Sequence, residues 1–362
     1  MRVGIVGTRG IPNFYGGFEQ FAQYLSEGLV KSGYEVFVYN SHLHPYQEKS
    51  WNGVKLVHCY DLEEKIGTVG QFIYDLNCIL DSRKRDFDII LQLGYTSSSV
   101  WNWLFPKNVP IVTNMDGLEW KRSKYSKPVQ SFLKFAEKLA VLFSDQLIAD
   151  SKGIQSYLKE KYNKDSIYIP YGANVFTAPD KTVLKEYNLT PYKYDMLIAR
   201  LEPENSVEEI LDGFTTSNVN RDFLVIGNTK TPLGKKLVNK YQDSRIKFVG
   251  YVNGIERLDS LRYFSNLYFH GHTVGGTNPS LLEAMASNAF ICAQDNIFNK
   301  AILGEDAVYF SSADEVKEMI ESVSSKEYED FIINNRKKVE SEYSWNAVVV
   351  QYEKFLKLNL NK

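Results

Sequence analysis

His270-Gly-His-Thr-Val-Gly-Gly-Thr-Asn-Pro-Ser-Leu-Leu-Glu-Ala-Met-Ala286 is the stretch of this chain best suited to chemistry on a charged ligand. It follows an apolar run, Leu267-Tyr-Phe269, that reads as a buried strand. The glycines make a tight turn, and Asn278-Pro279 reads as a helix N-cap with proline at the first helical position. The first N–H groups of such a helix have no partner within it, so an anion can sit against them. In outline this is a diphosphate site. Gly276, Thr277, Asn278 and Ser280 surround the anion, His272 offers a hydrogen bond beside it, and Glu283 lies one turn further on. Arg200, in Ile198-Ala-Arg-Leu-Glu-Pro-Glu-Asn205, presents a fixed positive fork to the same group. The competing reading of Arg200 is a surface ion pair with Glu202 or Glu204.

A second set of candidates lies in the first half. Thr113-Asn-Met-Asp-Gly-Leu-Glu-Trp-Lys-Arg122 follows a strand-like run, and its Asp116, Glu119 and Trp120 suit recognition of sugar hydroxyls. Asp116 has two readings, acceptor of a hydroxyl proton or helix cap, and Asp150-Ser151 shares that ambiguity. Tyr95, after Leu91-Gln-Leu-Gly94, is placed beside them. Metal chemistry is not expected. His42 and His44 lack a carboxylate cluster, and Asp86-Phe-Asp88, although a D-x-D, enters an apolar strand. His270 and His272 suit hydrogen bonding better than ligation.

These residues need a scaffold of alternating strands and helices, and the pattern supplies one. Strands are expected near 3–6, 35–39, 54–58, 89–93, 111–114, 146–149 and 166–169, then near 195–199, 222–226, 246–249, 267–270, 289–293 and 307–310. Phe18, Phe21, Leu25 and Leu29 recur at helical spacing, with Gly33 as a stop. The fold class is therefore α/β with two doubly wound, Rossmann-like domains. The expected division is 1–178, 179–342 and a terminal helix over 343–362, with a linker around 176–193 where Pro, Thr and Lys gather. Trp345, Val348, Val349, Tyr352 and Phe355 make one apolar stripe of that terminal helix.

Bulk properties bound the answer. The 362 residues exceed one ordinary core and suit two domains of roughly 150–200 residues. Hydrophobic content of 44% and charged content of 24% are those of a soluble globular protein, and a net charge of −2 gives no reason to expect nucleic acid as a partner. Three scattered cysteines argue against disulfides or zinc and for a reducing compartment. No apolar run reaches the ~20 residues that span a bilayer. The expectation is a cytoplasmic protein or one peripheral on the cytosolic membrane face. Lys121, Arg122, Lys124, Lys127, Lys134 and Lys138, interleaved with Phe132, Leu133, Phe135, Leu139, Leu142 and Phe143, form a basic amphipathic segment. It reads either as a contact with anionic lipid or as a buried helix with a charged edge.

At Leu281-Leu-Glu-Ala-Met-Ala286 and through the preceding turn the chain resembles the retaining family 4 glycosyltransferases, in particular the bacterial rhamnosyltransferases of polysaccharide assembly. The resemblance implies a GT-B fold with an interdomain cleft and a terminal helix returning to the N-terminal domain. It places the first glycine turn, Gly7 to Glu19, at the cleft mouth. There Gly16 and Gly17 would let the backbone approach the donor phosphates, and Arg9 and Glu19 are polar contacts. That turn matches neither the dinucleotide nor the P-loop glycine pattern. The family's paired glutamates become Gly275 and Glu283 here, and the lysine of its G-R-x-x-x-x-K motif becomes Asn205. What the resemblance implies is metal-independent transfer of a sugar from a nucleoside diphosphate, dTDP-L-rhamnose in this branch, to a saccharide or lipid-linked acceptor. Glu283 would bond the nucleoside ribose, and Arg200 with the amides of 277–280 would hold the leaving diphosphate. The alternatives are a nucleotide-sugar epimerase and a non-catalytic sugar-nucleotide-binding protein.

Overall fold

A computed structural model describes residues 1–14, 16–122, 125–274 and 276–360. Each expected strand is present, with ends displaced by at most two residues. The chain divides into two units. The first holds Met1–Lys121, Tyr125–Tyr171 and the chain from Trp345 on; the second holds Gly172–Ser344, and Arg122 counts with it.

In the first unit the strands are β1 (Arg2–Val6), β2 (Glu35–Ser41), β3 (Ser50–Trp51), β4 (Val54–Cys59), β5 (Ile89–Leu93), β6 (Ile111–Asn114), β7 (Gln146–Ala149) and β8 (Ile167–Tyr168). They form one sheet in the order β3-β4-β2-β1-β5-β6-β7-β8. All neighbours are parallel except β3 and β4. That antiparallel pair was not expected. Asn52 and Gly53 close it with φ of 46° and 86°, the left-handed pair that a two-residue hairpin turn requires. Helices α1 (Gly17–Lys31), α2 (Glu63–Ile66), α3 (Gly70–Ser82), α4 (Lys127–Phe143) and α5 (Lys152–Tyr162) accompany it. Ser151 caps α5, its hydroxyl accepting from Ile154 N–H at 3.2 Å.

The second unit has β9 (Tyr194–Ile198), β10 (Asp222–Ile226), β11 (Ile246–Gly250), β12 (Tyr268–His270), β13 (Ile291–Gln294) and β14 (Val308–Phe310). They run parallel in the order β11-β10-β9-β12-β13-β14. Its helices are α6 (Val207–Thr216), α7 (Pro232–Lys240), α8 (Ile255–Tyr263), α9 (Pro279–Ala286), α10 (Ile297–Leu303), α11 (Ala313–Ser322) and α12 (Glu329–Lys338). Strands buried on both faces explain the continuous apolar runs: Tyr194, Met196 and Leu197 of β9 are at most 1% exposed. The stretch 176–193 is not a free linker. It carries the 3-10 helix Lys181–Tyr187 and is fastened to this unit, where Lys247 Nζ donates to the Tyr187 and Asn188 carbonyls at 3.0 and 3.1 Å.

Helix α13 (Trp345–Leu360) belongs to the first unit. Its stripe is buried against α1: Phe21 lies 5.9 Å from Trp345 and 5.6 Å from Tyr352, and Tyr24 stacks on Trp345 at 4.6 Å. Each such buried side chain contributes about 1.5–3 kcal/mol, which holds a chain terminus that is otherwise prone to fray.

Candidate functional site

In the second unit the strand order reverses between β9 and β12, which pair through Phe269 and Leu197. Ligands of open α/β sheets bind where two neighbouring strands send their connections to opposite sides. Here the residues after β9 are Ala199-Arg200 and those after β12 are Gly271-His272, so the two diphosphate candidates share one edge. Arg200 is exposed there.

Asn205 occupies the lysine position of the resembled family, and the structure gives it a different job. It is 7% exposed, donates through Nδ2 to the Arg200 carbonyl at 2.7 Å, and meets His272 Nδ1 through Oδ1 at 2.7 Å. Thr273 adds two bonds to the Glu204 carbonyl, both 2.9 Å. Asn296 and Asn299 hold the His272 carbonyl at 2.9 and 3.1 Å. The turn after β12 is thus laced onto the 3-10 turn Pro203–Asn205. Only glycine fits at 271, where a Cβ would stand 2.1 Å from the Asn205 carbonyl oxygen. This bonding pattern assigns the proton of His272 to Nδ1 and leaves Nε2 as an acceptor. Burial, aided by the charges of Arg122 and Arg200, pushes the His272 imidazole down to about 4. His270, 4% exposed with Nε2 unbonded among the described residues, is pushed down to about 3, chiefly by burial. Both rings are neutral near pH 7.

Asn278 caps α9, its Oδ1 accepting from Ser280 N–H at 2.9 Å, with Pro279 next. That amide is therefore already satisfied and is withdrawn from the set expected to face a diphosphate. The Ser280 hydroxyl lies 2.9 Å from Tyr268 OH and 3.2 Å from Arg262 Nη2. Arg262, on α8, is a residue that sequence reasoning missed. It is 1% exposed and donates to Asp259 at 2.6 Å and to Glu283 Oε2 at 2.7 Å. Burial raises Asp259 to about 6. Glu283 keeps 18% of its side chain exposed, and Oε1 is bonded to no described residue. Thr277 is buried, Gly276 is half-buried, and Gly275 lies outside the described residues.

In the first unit the glycine turn lies between β1 and α1. Gly16 has φ 109°, and the Gly17 carbonyl accepts from Tyr171 OH at 3.0 Å. Arg9 turns to Glu63 in a two-point bond, 2.8 Å at each oxygen, rather than standing open to a ligand. Glu19 is 6% exposed and accepts from Arg9 N–H at 2.9 Å; burial raises its carboxyl. A cavity of about 260 Å³ opens here, with Phe14, His44, Asp61 and Glu64 on its wall. None of these four was singled out from the sequence as a ligand contact.

The acceptor candidates fare unevenly. Tyr95 is 2% exposed, sunk in the core with Met115, Leu118 and Ala136, and its hydroxyl is closed off from solvent. It cannot meet an acceptor from there, which corrects the expectation. Trp120 is likewise engaged internally. Its N–H donates to Glu137 at 3.1 Å, and Lys134 Nζ sits 4.4 Å from its ring centroid. Asp116 caps no helix; it adopts a left-handed backbone, φ 52°, a conformation that favours glycine. Glu119 opens the 3-10 turn Glu119–Lys121 and is half-buried.

Among the described residues no three His, Cys, Asp or Glu side chains gather as a metal would need. His42 Nδ1 accepts from Asp61 N–H at 2.9 Å, and His44 contacts the Tyr46 and Pro12 carbonyls. Asp86-Phe-Asp88 precedes β5, at the end of the sheet opposite the glycine turn, and Asp88 binds the Arg2 N–H at 2.6 Å.

Comparison with known proteins accords with this architecture. Residues 1–174 match the family model described as Domain of unknown function (DUF1972). No curated protein matches in sequence. Among solved structures, the chain is similar to sucrose-phosphate synthase from Thermosynechococcus elongatus at TM-score 0.80 and 16% identity, over 99% of both chains. It is similar to Anabaena HepE, solved with UDP and glucose, at 0.75 and 14%, also over 99% of each. A glycosyltransferase from Rickettsia africae matches at 0.74 and 13%, over 100% of this chain and 98% of its own. At such identities the likeness defines the fold: two Rossmann-like domains of the GT-B type.

Proposed function

We propose that this protein is a retaining glycosyltransferase that moves a sugar from a nucleoside diphosphate to a hydroxyl, with dTDP-L-rhamnose as donor and a polyprenyl-diphosphate-linked saccharide as acceptor in capsule or cell-wall polysaccharide synthesis. The observation that carries the reading is the convergence of Arg200 and the turn leading to Glu283 at the strand-order reversal of a GT-B fold. As the bond from C1 to the diphosphate oxygen breaks, negative charge grows on the leaving group. Arg200 and the backbone of the turn before α9 stabilise that charge, without a metal. The acceptor oxygen bonds to C1 on the same face, and its proton passes to the departing phosphate oxygen. Glu283 holds the furanose of the nucleoside, Gly16 and Gly17 belong to the donor side, and Asp116 and Glu119 are the acceptor-side carboxylates.

The membrane enters through α4. Lys127, Lys134, Phe135, Lys138 and Leu142 fall on one side of that helix, and all are exposed, Phe135 at 53% and Leu142 at 67%. Leu133, Ala136, Glu137 and Ala140 face inward. Exposed cations beside exposed apolar side chains suit an anionic lipid surface, where a polyprenyl-linked acceptor resides. No helix among the described residues is long and apolar enough to cross a membrane.

Incubation with a panel of nucleotide sugars and a membrane lipid extract, read by mass spectrometry, tests the activity. Glycosylated lipid, formed equally with and without chelator, is the expected product. Donor conversion without any acceptor would make the protein an epimerase, and tight nucleotide binding without turnover a sensor. Activity lost to chelator and restored by magnesium would remove the metal-free mechanism.

A further inference from the structure

Glu283 is a flexible side chain at the one place where the proposed donor must be read with accuracy, and the fold does not leave it loose. The Arg262 guanidinium lies behind it, itself almost inaccessible at 1% exposure. One arm of the fork is tied to Asp259 on its own helix at 2.6 Å, and the other to Glu283 Oε2 at 2.7 Å and to Ser280 Oγ at 3.2 Å. The carbon of the guanidinium stands 5.8 Å from the Tyr268 ring, whose hydroxyl holds Ser280 from the far side at 2.9 Å. Apart from the bond to Asp259, every one of these contacts ends on α9 or on the strand that leads to it. A cation with two carboxylates leaves the cluster with excess negative charge; Glu283 is the more exposed of the two carboxylates, at 18% against 11%, and its Oε1 is bonded to no described residue.

We propose that Arg262 is a positioning residue: it fixes Oε2 so that Oε1 stands ready to accept from the furanose hydroxyls of the nucleotide. The inference rests on the reading of the second unit as a nucleoside-diphosphate site. Its chemistry is specific, because a carboxylate oxygen accepts and cannot donate, so it selects ligand hydroxyls and repels phosphate. A carboxylate held in advance loses less freedom on binding than a mobile one.

Isothermal titration with UDP, dTDP, 2′,3′-dideoxy-UDP and inorganic pyrophosphate tests this on wild type, Arg262→Met, Arg262→Lys and Glu283→Gln. Wild type is expected to prefer UDP to the dideoxy analogue by about 10- to 100-fold, the range of a hydrogen bond to a charged group. Arg262→Met should lose most of that preference while pyrophosphate binding stays unchanged, and Arg262→Lys should restore part of it. A merely structural role would weaken all ligands alike. Should Arg262→Met fail to fold, Arg262→Lys carries the same test, since one ammonium lacks the two-armed fork that ties Asp259 and Glu283 together, and it should lose part of the preference. Undiminished discrimination in the folded variants would overturn the positioning role while leaving the nucleotide site intact. A wild type that binds neither UDP nor dTDP would remove the site and this inference together.

Discussion

Glu137→Ala removes one buried carboxylate and strands four donors. Tyr162 OH reaches it at 2.6 Å, Tyr157 OH at 2.7 Å, Lys161 Nζ at 2.9 Å and Trp120 Nε1 at 3.1 Å. At about 1.5–3 kcal/mol for each bond to a charged group, a plain sum is roughly 6–12 kcal/mol. That sum is too large. The Lys161 side chain is 36% exposed and regains water at once, so its share is within the range of a surface pair, about 0–1 kcal/mol. The two tyrosines and the tryptophan are half-buried and recover part of theirs. We expect about 3 kcal/mol in all, or a fall of about 6–12 °C in the melting of the first unit. Circular dichroism melts and urea titrations of wild type, Glu137→Ala, Glu137→Gln and Lys161→Met would measure it. Glutamine should recover much of the loss because its carbonyl still accepts, and Lys161→Met should cost under about 1 kcal/mol. An alanine variant within about 0.5 kcal/mol of wild type would refute the reasoning, since such a carboxylate could then be no organiser of the Asp116–Lys121 segment.

Three further outcomes are expected. Arg200→Ala should lower turnover about a hundredfold, roughly 3 kcal/mol, in steady-state assays with the true donor; near-normal turnover would remove Arg200 from the mechanism. Because His270 is pushed down to about 3 when folded, against an ordinary value near 6.5, the unfolded chain binds the extra proton between those limits, and stability falls as pH drops below about 6.5. The loss attributable to His270 is about 2 kcal/mol at pH 5, so urea midpoints of His270→Gln should vary less between pH 7 and pH 5 than those of wild type. Gly271→Ala would drive a methyl group to 2.1 Å from the Asn205 carbonyl, part the two turns and weaken nucleotide binding by about tenfold, roughly 1.4 kcal/mol, readable by titration; unchanged affinity would show that the lacing is dispensable.

Local patterns carried much of this protein. Apolar runs of strand length and the period of α1 and α13 depend only on which backbone neighbours share a face, so each expected strand was found. The hairpin at Asn52-Gly53 was legible too, since that dipeptide favours the left-handed turn, and it was passed over in a pattern read for parallel strands alone. Asn278, Pro279 and Glu283 were recognisable because a cap and the first turn after it form a local unit. Tyr95 and Trp120 were misjudged for a common reason: a residue's type states what it can bond, and only packing decides what stands within reach.

What the chain order could not contain is which distant elements become neighbours. The second sheet sets β12 beside β9 across some seventy residues of sequence, and that alone brings Arg200 to the turn of His272. Packing of α8 on α9 then places Arg262 behind Glu283, and packing of α5 on α4 gives Glu137 its tyrosines and lysine. Periodicity and capping are interactions between residues a turn apart, so they are written along the chain. Hydrogen bonds between helices depend on the sum of all burial in the unit, and that sum exists only once the sheet has formed.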